Sequence, residues 1–269
     1  MIFICPVCSE KLNKDGNRLL CSKGHSFDLS KEGYCNLLVR GGFHGDNKEM
    51  VIARRNFLSR GYYSPLAERI AAIVLSYAEK NQLILDCGLG EGYYTDLVEK
   101  SVYERDSTSN VYGFDISKDA VKAAAKRNPR LNLTVASAYR QPFADGSVDL
   151  AYNVFSPLAT EEVRRVLTDK GVFIMVIPDV RHLYELKAAV YDNPYENTVE
   201  DTALPGFKLV LEEPVHYDML IQNNEDLLSL FKMTPYAYRT KKENADRLLP
   251  LKTLKVSAHF RILVYRKEL

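Results

Sequence analysis

The stretch "LILDCGLGEGYYTDL", residues 83–97, decides the fold of this chain. It opens with an apolar run typical of a buried strand, and Asp86 stands near the end of that run. Glycines follow at positions 88, 90 and 92, where they permit a sharp turn and let a ligand approach the backbone closely. In a dinucleotide-binding loop, G-x-G-x-x-G, the third glycine comes one residue later. The stretch therefore predicts a ligand loop of a different form after a central strand.

Strands and helix-compatible segments alternate after this loop. The short apolar segments are "VYGFDI" (111–116), "LTVAS" (133–137), "VDLAYNV" (148–154) and "GVFIMVIP" (171–178). Alternation of this kind predicts a doubly wound parallel α/β sheet. Two longer segments, "FKLVLEEPVHYDMLI" (207–221) and "SAHFRILVYR" (257–266), predict an antiparallel pair at one edge.

Two helices are predicted before the sheet. The first begins near residue 48 and is stopped by Gly61. The second has Ser64 as its N-cap and Pro65 at its first helical position, where proline is tolerated.

The D-x-G-x-G-x-G form of the loop resembles the S-adenosylmethionine loop of class I methyltransferases. The resemblance implies a Rossmann-like methyltransferase sheet with donor contacts at Asp86, Gly88, Gly90 and Gly92. Asp115, at the end of the next strand, is expected to accept hydrogen bonds from ribose hydroxyls. The block "VASAYRQPFADGSVDLAYNV" (135–154) is similar to a later methyltransferase block, which implies donor contacts at Ser137 and Ala138. Ser137 stands where an aspartate that contacts adenine is usual.

A second motif lies near the start of the chain, in "CPVCSEKLNKDGNRLLCSKGH" (5–25). Its pattern is C-x2-C-x12-C-x3-H, with Cys5, Cys8, Cys21 and His25 as the candidate ligands. Three thiolates and one imidazole suit tetrahedral Zn²⁺ and leave no open position, which predicts a structural zinc site. Cys35 and Cys87 fall outside the pattern and are expected to pack as small apolar residues.

Composition places the chain among ordinary globular proteins, with 46% hydrophobic and 26% charged residues. The longest apolar run is too short to cross a bilayer, and no secretion signal is apparent, so a cytoplasmic location without membrane association is expected. The net charge of +1 conceals a segregation: residues 1–60 carry +4, residues 61–227 carry −10 and residues 228–269 carry +7. Charge runs are usually solvated surface, but two basic ends also fit a polyanion partner.

The zinc motif, "KEGYCNLL", "GYYSPL", the glycine loop, "PDVRHLYELK" and "MTPYAYR" together resemble the RlmA family of large-subunit ribosomal RNA guanine-N1 methyltransferases. The resemblance implies that Cys5, Cys8, Cys21 and His25 bind zinc. It also implies that Tyr63, Gly90, Glu91 and His182 line the methyl donor. Three regions follow: a zinc-binding RNA-recognition module (1–38), a linker and connecting helix (39–63), and a methyltransferase domain (64–269).

Methylation at N1 removes a ring proton, so a carboxylate or imidazole is expected near the target nitrogen. Asp179, His182 and Glu91 are candidates for this base, and Asn153 is a candidate for orienting the base edge. N1 lies on the pairing edge of guanine, so the target must be in a stem-loop or flipped out of its stack. The expected partners are 23S ribosomal RNA and a second copy of the chain in a homodimer.

Two alternatives remain open on the sequence. The first is a methyltransferase of a small molecule that uses the zinc module as a lid. The second is a zinc-dependent binding protein that holds S-adenosylmethionine only as a ligand. Resistance to macrolide-type antibiotics is known among members of the family and is one possible consequence of the reaction.

Overall fold

The computed structural model of the chain describes residues 2–39, 45–199 and 202–268. The predicted linker and connecting helix, residues 39–63, are therefore described only in part, because residues 40–44 lie outside these ranges. The described strands form one small three-stranded sheet near the N-terminus and one sheet of eight strands.

The N-terminal region, here called the front module, is built from short strands. They are β1 (Asn13–Asp15), β2 (Arg18–Leu20), β3 (Ser26–Asp28) and β4 (Cys35–Asn36). The first three pair antiparallel in the order β1-β2-β3. β4 leaves this small sheet and pairs in parallel with a strand of the large one, with Cys35 opposite Thr134.

The remaining elements alternate as predicted from residue 83 onward. In chain order they are α1 (Lys48–Leu58), α2 (Ser64–Tyr77), β5 (Leu83–Cys87), α3 (Tyr93–Arg105), β6 (Asn110–Asp115), α4 (Lys118–Arg127), β7 (Asn132–Val135), β8 (Val148–Val154), α5 (Thr160–Val166), β9 (Leu167–Pro178), α6 (Tyr184–Val190), β10 (Phe207–Ile221), α7 (Asn224–Lys232), α8 (Tyr236–Arg239), α9 (Lys242–Ala245) and β11 (Leu254–Lys267).

The eight strands of the large sheet lie in the order β10-β11-β9-β8-β5-β6-β7-β4. All pairings among strands β5 to β9 are parallel. β11, in contrast, pairs antiparallel with both β9 and β10. The predicted doubly wound α/β sheet with an antiparallel pair at one edge is confirmed. The chain runs outward from β5 through β6 and β7, and then returns to β8 on the other side of β5. Ligands of such sheets bind beyond the carboxyl ends of the strands at this reversal.

The front module packs into the core of the large sheet. Phe3 forms a β-bridge with Phe143, and the Ile4 amide donates to the Pro142 carbonyl at 3.0 Å. The Phe3 ring meets Tyr112 of β6 edge-on, with centroids 5.5 Å apart. Because these side chains are buried in one cluster, the front module and the sheet share a hydrophobic core.

The predicted N-cap of the second helix is wrong by one residue. α2 begins at Ser64 itself, and Tyr63 is the capping residue without a capping side-chain bond. The Ser64 amide donates to the Gly61 carbonyl at 3.0 Å, and its hydroxyl lies 3.4 Å from the Tyr93 hydroxyl. The serine side chain is therefore turned toward α3 and not toward the start of its own helix.

Candidate donor site and zinc centre

The glycine loop follows β5 at the reversal of the sheet. Gly88 has a φ of +92° and Gly92 a φ of +81°, conformations that residues with a Cβ rarely adopt. A Cβ at position 88 would lie 2.0 Å from the Ser156 hydroxyl, and one at position 92 would lie 2.7 Å from the Ala124 Cβ. The loop therefore needs glycine at both positions for conformation and for space.

Two predicted acids brace this loop. Asp115, at the end of β6, accepts from the Gly90 amide at 3.0 Å and from the Ser117 amide at 2.8 Å. Asp86 is buried and accepts from the Thr95 hydroxyl at 2.6 Å. Burial raises the pKa of the Asp86 carboxyl to about 7, against the hydrogen bond from Thr95. Asp115 thus holds the loop to the end of β6, whereas Asp86 holds the start of α3 to the loop.

Several buried polar atoms at or beside the loop lack hydrogen-bond partners within the described ranges, among them the Asp86 Oδ1. Two others are the Glu91 Oε1 and the His182 Nδ1. Leaving such atoms unpaired in a dry site is costly, so both fit a ligand that supplies polar groups. The other Glu91 oxygen is paired with Arg127. Together with the glycine cradle, these atoms fit a donor that has hydroxyl and amino groups.

His182 lies in an aromatic cluster next to the loop after β8. Its ring centroid is 4.5 Å from that of Phe260 and 6.3 Å from that of Tyr63, and both rings are buried. Burial lowers the pKa of His182 to about 3, with the positive charge of Lys187 acting in the same direction. The imidazole is therefore neutral at physiological pH: one ring nitrogen can donate a hydrogen bond and the other can accept one, but the ring carries no charge.

Sequence reasoning missed Phe155, which stands on the open side of this cluster. It has a φ of +57°, a strained conformation for an aromatic residue, and 42% of its surface is exposed. Its ring lies nearly parallel to that of His182 at 6.4 Å. The signal available in the sequence was its place directly after a strand that ends at the reversal of the sheet.

Ser137 and Ala138 lie in the turn after β7. The Ser137 hydroxyl accepts from the Tyr139 amide at 3.2 Å, and its carbonyl accepts from the Arg140 amide at 3.1 Å. The serine side chain thus stabilises its own turn at the place where an acid is usual.

Asn153 is buried at the end of β8 and connects two loops. Its side-chain amide donates to the Cys87 carbonyl at 3.1 Å and accepts from the Ser156 amide at 3.3 Å. These bonds hold the loop after β8 against the glycine loop.

Asp179 follows the last residue of β9 and forms a pair that sequence reasoning missed. Its Oδ2 lies 2.6 Å from the His216 Nε2, and its amide donates to the His259 carbonyl at 2.9 Å. The His216 and His259 rings are stacked, with centroids 4.2 Å apart. This grouping depends on the register of β10 against β11, which the sequence pattern alone does not give.

The four predicted zinc ligands lie together at the tip of the front module. Their ligand atoms are all within 4.8 Å of one another. The Cys8 and Cys21 sulfurs are 3.7 Å apart, and the His25 Nδ1 is 3.6 Å from the Cys5 sulfur and 3.4 Å from the Cys21 sulfur. A tetrahedral ion with Zn–S bonds of about 2.3 Å separates two sulfurs by about 3.8 Å. The donor set and its spacing therefore fit Zn²⁺. Cys35 and Cys87 are buried elsewhere, as predicted.

Basic residues of the front module lie on its surface. Lys11, Lys14, Arg18 and Lys23 are all exposed. Arg18 pairs with Asp15, and Lys23 lies 3.4 Å from Glu10, but exposed pairs of this kind are weak. No described helix is long and apolar enough to span a membrane.

Comparison with known proteins gives two family matches. The family described as "RlmA, N-terminal", a zinc ribbon, matches residues 3–39, and the family described as "Methyltransferase domain" matches residues 85–175. The chain is 35% identical to the "23S rRNA (guanine(748)-N(1))-methyltransferase" of Streptomyces fradiae, over 78% of this chain and 76% of that protein. It is 31% identical to the "Putative 23S rRNA (guanine-N(1)-)-methyltransferase" of Micromonospora griseorubida, over 88% of this chain and 86% of that protein.

Proposed function

Because the chain belongs to the RlmA-type family of 23S rRNA (guanine-N1)-methyltransferases, we propose that it methylates N1 of a guanine in a stem-loop of that RNA. S-adenosylmethionine and Zn²⁺ are its cofactors. When bound, S-adenosylmethionine supplies an electrophilic methyl group on a sulfonium sulfur. The observation that carries the proposal is that a cluster of four zinc-type ligands shares one hydrophobic core with β5, the strand that leads into the glycine loop.

The donor site is proposed to consist of the predicted residues around the glycine loop. Asp115 would bind the ribose hydroxyls, and Glu91 and His182 would use the polar atoms that lack partners within the described part of the chain. Tyr63 packs against the His182 ring and would close the site on the side of α2. The remaining contacts are proposed for Gly88, Gly90, Gly92, Ser137 and Ala138, with Asp86 bracing the loop.

The proposed proton acceptor is Asp179, supported by His216. Asp179 stands at the carboxyl edge of the sheet, and the His182 amide donates to its carbonyl at 3.0 Å. The Asp179 Oδ2 lies 2.6 Å from the His216 Nε2, and its Oδ1 accepts from the Val180 amide at 2.9 Å, so the carboxylate is oriented. Each oxygen keeps a second lone pair that can accept the substrate proton. The neutral and buried His182 is a poorer base, since burial lowers its pKa to about 3. Asn153 would act by holding the two loops in register.

The exposed aromatic ring of Phe155 supports a flipped base beside the donor. An aromatic face that stacks on a nucleobase contributes about 1–3 kcal/mol. The exposed lysines and arginine of the front module would contact phosphates next to the target, which makes residues 1–38 the proposed RNA-recognition module. The connecting region 39–63 and the methyltransferase domain 64–269 complete the proposed division, and homodimer formation and a cytoplasmic location stay predictions.

Methylation of a small molecule under a zinc lid is the less favoured reading. A lid must open, but β4 pairs with β7, and the Ile4 amide bonds to the Pro142 carbonyl. These main-chain bonds tie the front module to the sheet. They favour a fixed RNA-binding surface over a movable cover.

The test is methyl transfer from labelled S-adenosylmethionine to 23S RNA, read by primer extension, because N1 methylation stops reverse transcriptase. The Asp179→Asn variant is expected to lower the turnover rate about 10²- to 10⁴-fold and leave the affinity for the donor unchanged. Asp218→Asn is the matched control, since Asp218 is exposed on β10 two residues from His216 and pairs with Lys255. The proposed function would be refuted if reverse transcriptase stopped at no guanine, or if methyl were transferred only to small metabolites. An Asp179→Asn variant with wild-type turnover would refute only the assignment of Asp179 as the proton acceptor.

A further inference from the structure

Arg54 of α1 reaches the glycine loop from outside the sheet. One of its terminal nitrogens, Nη1, lies 3.5 Å from the position that a Cβ on Gly90 would occupy. Nη1 also pairs with Asp46, and Nη2 lies 3.4 Å from the Met233 carbonyl at the end of α7. A guanidinium has five N–H donors, and these two contacts use two of them.

The charge of Arg54 acts on several residues of the proposed donor site. Burial raises the pKa of Asp115 and of Glu91, and the positive charge of Arg54 opposes both shifts. Burial likewise raises the pKa of Tyr63, again opposed by Arg54. The guanidinium thus lies against the loop at Gly90, and its charge also acts on Tyr63.

The proposed donor presents one negative group, the carboxylate of its methionine part. The acids at the site, Glu91 and Asp115, suit the hydroxyl and ammonium groups and would repel that carboxylate. Two other cations act on the loop: Arg127 is paired with the buried Glu91, and Arg55 is the exposed neighbour of Arg54 on α1. The partner of Arg54 is Asp46, two residues before α1, and 29% of the Arg54 side chain is exposed. Its planar fork matches carboxylate geometry.

We infer that Arg54 binds the carboxylate of the methyl donor and so selects donors that carry this group. The inference rests on the donor site proposed above. Asp46 positions the guanidinium by pairing with it. The backbone at Asp46 is itself held in place, because the Ser117 hydroxyl donates to the Asp46 carbonyl at 2.6 Å. Ser117 also caps α4 and lies two residues after Asp115. One short stretch of chain therefore supports both the proposed carboxylate contact of Arg54 and the proposed ribose contact of Asp115.

The experiment compares S-adenosylhomocysteine with its decarboxylated analogue by calorimetry on the full-length protein. The two compounds differ only in the carboxylate. The wild-type protein is expected to bind S-adenosylhomocysteine about 10- to 100-fold more tightly. Arg54→Ala should remove this preference by weakening only the compound with the carboxylate. Arg54→Lys should keep part of it, because lysine retains the charge but not the fork.

Lys48→Ala is the matched control, since Lys48 is exposed at the start of the same helix and its loss should leave the preference unchanged. An Arg54→Ala protein that still prefers the carboxylate to the wild-type extent would overturn the inference. Should that variant fail to fold, an Arg54→Lys protein with an unchanged preference would overturn it equally. If the wild-type protein binds neither compound, the donor site itself is wrong, which is a distinct outcome.

Discussion

Replacing Gly88 by alanine tests the physical basis of the donor loop. The φ of +92° carries a strain of about 1–2 kcal/mol for a residue with a Cβ. The new Cβ would also lie 2.0 Å from the Ser156 hydroxyl oxygen and 2.5 Å from the Ser156 Cβ, and overpacking of this kind costs about 1–3 kcal/mol. The expected loss in the free energy of unfolding is therefore about 2–5 kcal/mol.

A second glycine separates the two contributions. Gly146 has a φ of +60°, but no atom lies within 4 Å of its Cβ position, so Gly146→Ala should cost only the conformational part of about 1–2 kcal/mol. Removing the Ser156 side chain relieves the contact but not the φ. The double variant Gly88→Ala with Ser156→Gly should therefore lose about 1–3 kcal/mol less in the free energy of unfolding than the sum of the two single losses.

Urea unfolding followed by circular dichroism measures the stability of the wild type and the four variants, and calorimetry measures their donor binding. Gly88→Ala should lose donor affinity because the loop must move, and Gly146→Ala should retain it. Equal destabilisation at the two glycines, or additive effects of the changes at positions 88 and 156, would refute the steric argument.

Two further predictions concern the zinc centre and the pH dependence of stability. Cys21→Ser should release Zn²⁺ and lower the melting temperature of the whole chain, because the front module shares its core with the sheet; Cys35→Ser, which lies outside the cluster, should retain the metal, and a Cys21→Ser protein with unchanged melting would contradict this. Burial lowers the pKa of His182 from about 6.5 to about 3, so the unfolded chain binds an extra proton between these values. The contribution of His182 to stability is therefore present above pH 6.5 and is lost as the pH falls toward 3, with a slope of at most about 1.4 kcal/mol per pH unit. Urea unfolding over this range should show a smaller slope for His182→Gln than for wild type, and identical slopes would contradict the assignment.

The sequence predicted the large sheet well because its strands are long enough to show a pattern. β5 to β9 are apolar runs bounded by turns, and the edge pair β10 and β11 stands out by length. β4 was not foreseen as part of this sheet, since a strand of two residues has no periodicity to detect. The start of α2 was predicted one residue too late: serine is a common capping residue, but the Ser64 hydroxyl makes a tertiary contact with Tyr93 instead.

The site was predictable where one segment carries the information. The glycine loop and the zinc ligands follow fixed spacings, and each of the two sets comes together in the fold. Arg54, Phe155 and His216 were missed because each gains its place from another element. Arg54 reaches Gly90 from α1, and His216 meets Asp179 only through the register of β10 on β11. Chain geometry, and not local composition, decides such contacts.

The pairing of β4 with β7 sets an order of events during synthesis on the ribosome. Residues 5–25 can capture their metal as soon as they emerge, since all four ligands are local. Cys35, however, meets Thr134, which is 99 residues further along the chain. At about 5–20 residues per second the front module must wait roughly 5–20 s for that partner strand. During this interval the metal is the early source of order in a nascent segment whose apolar side chains still lack their neighbours.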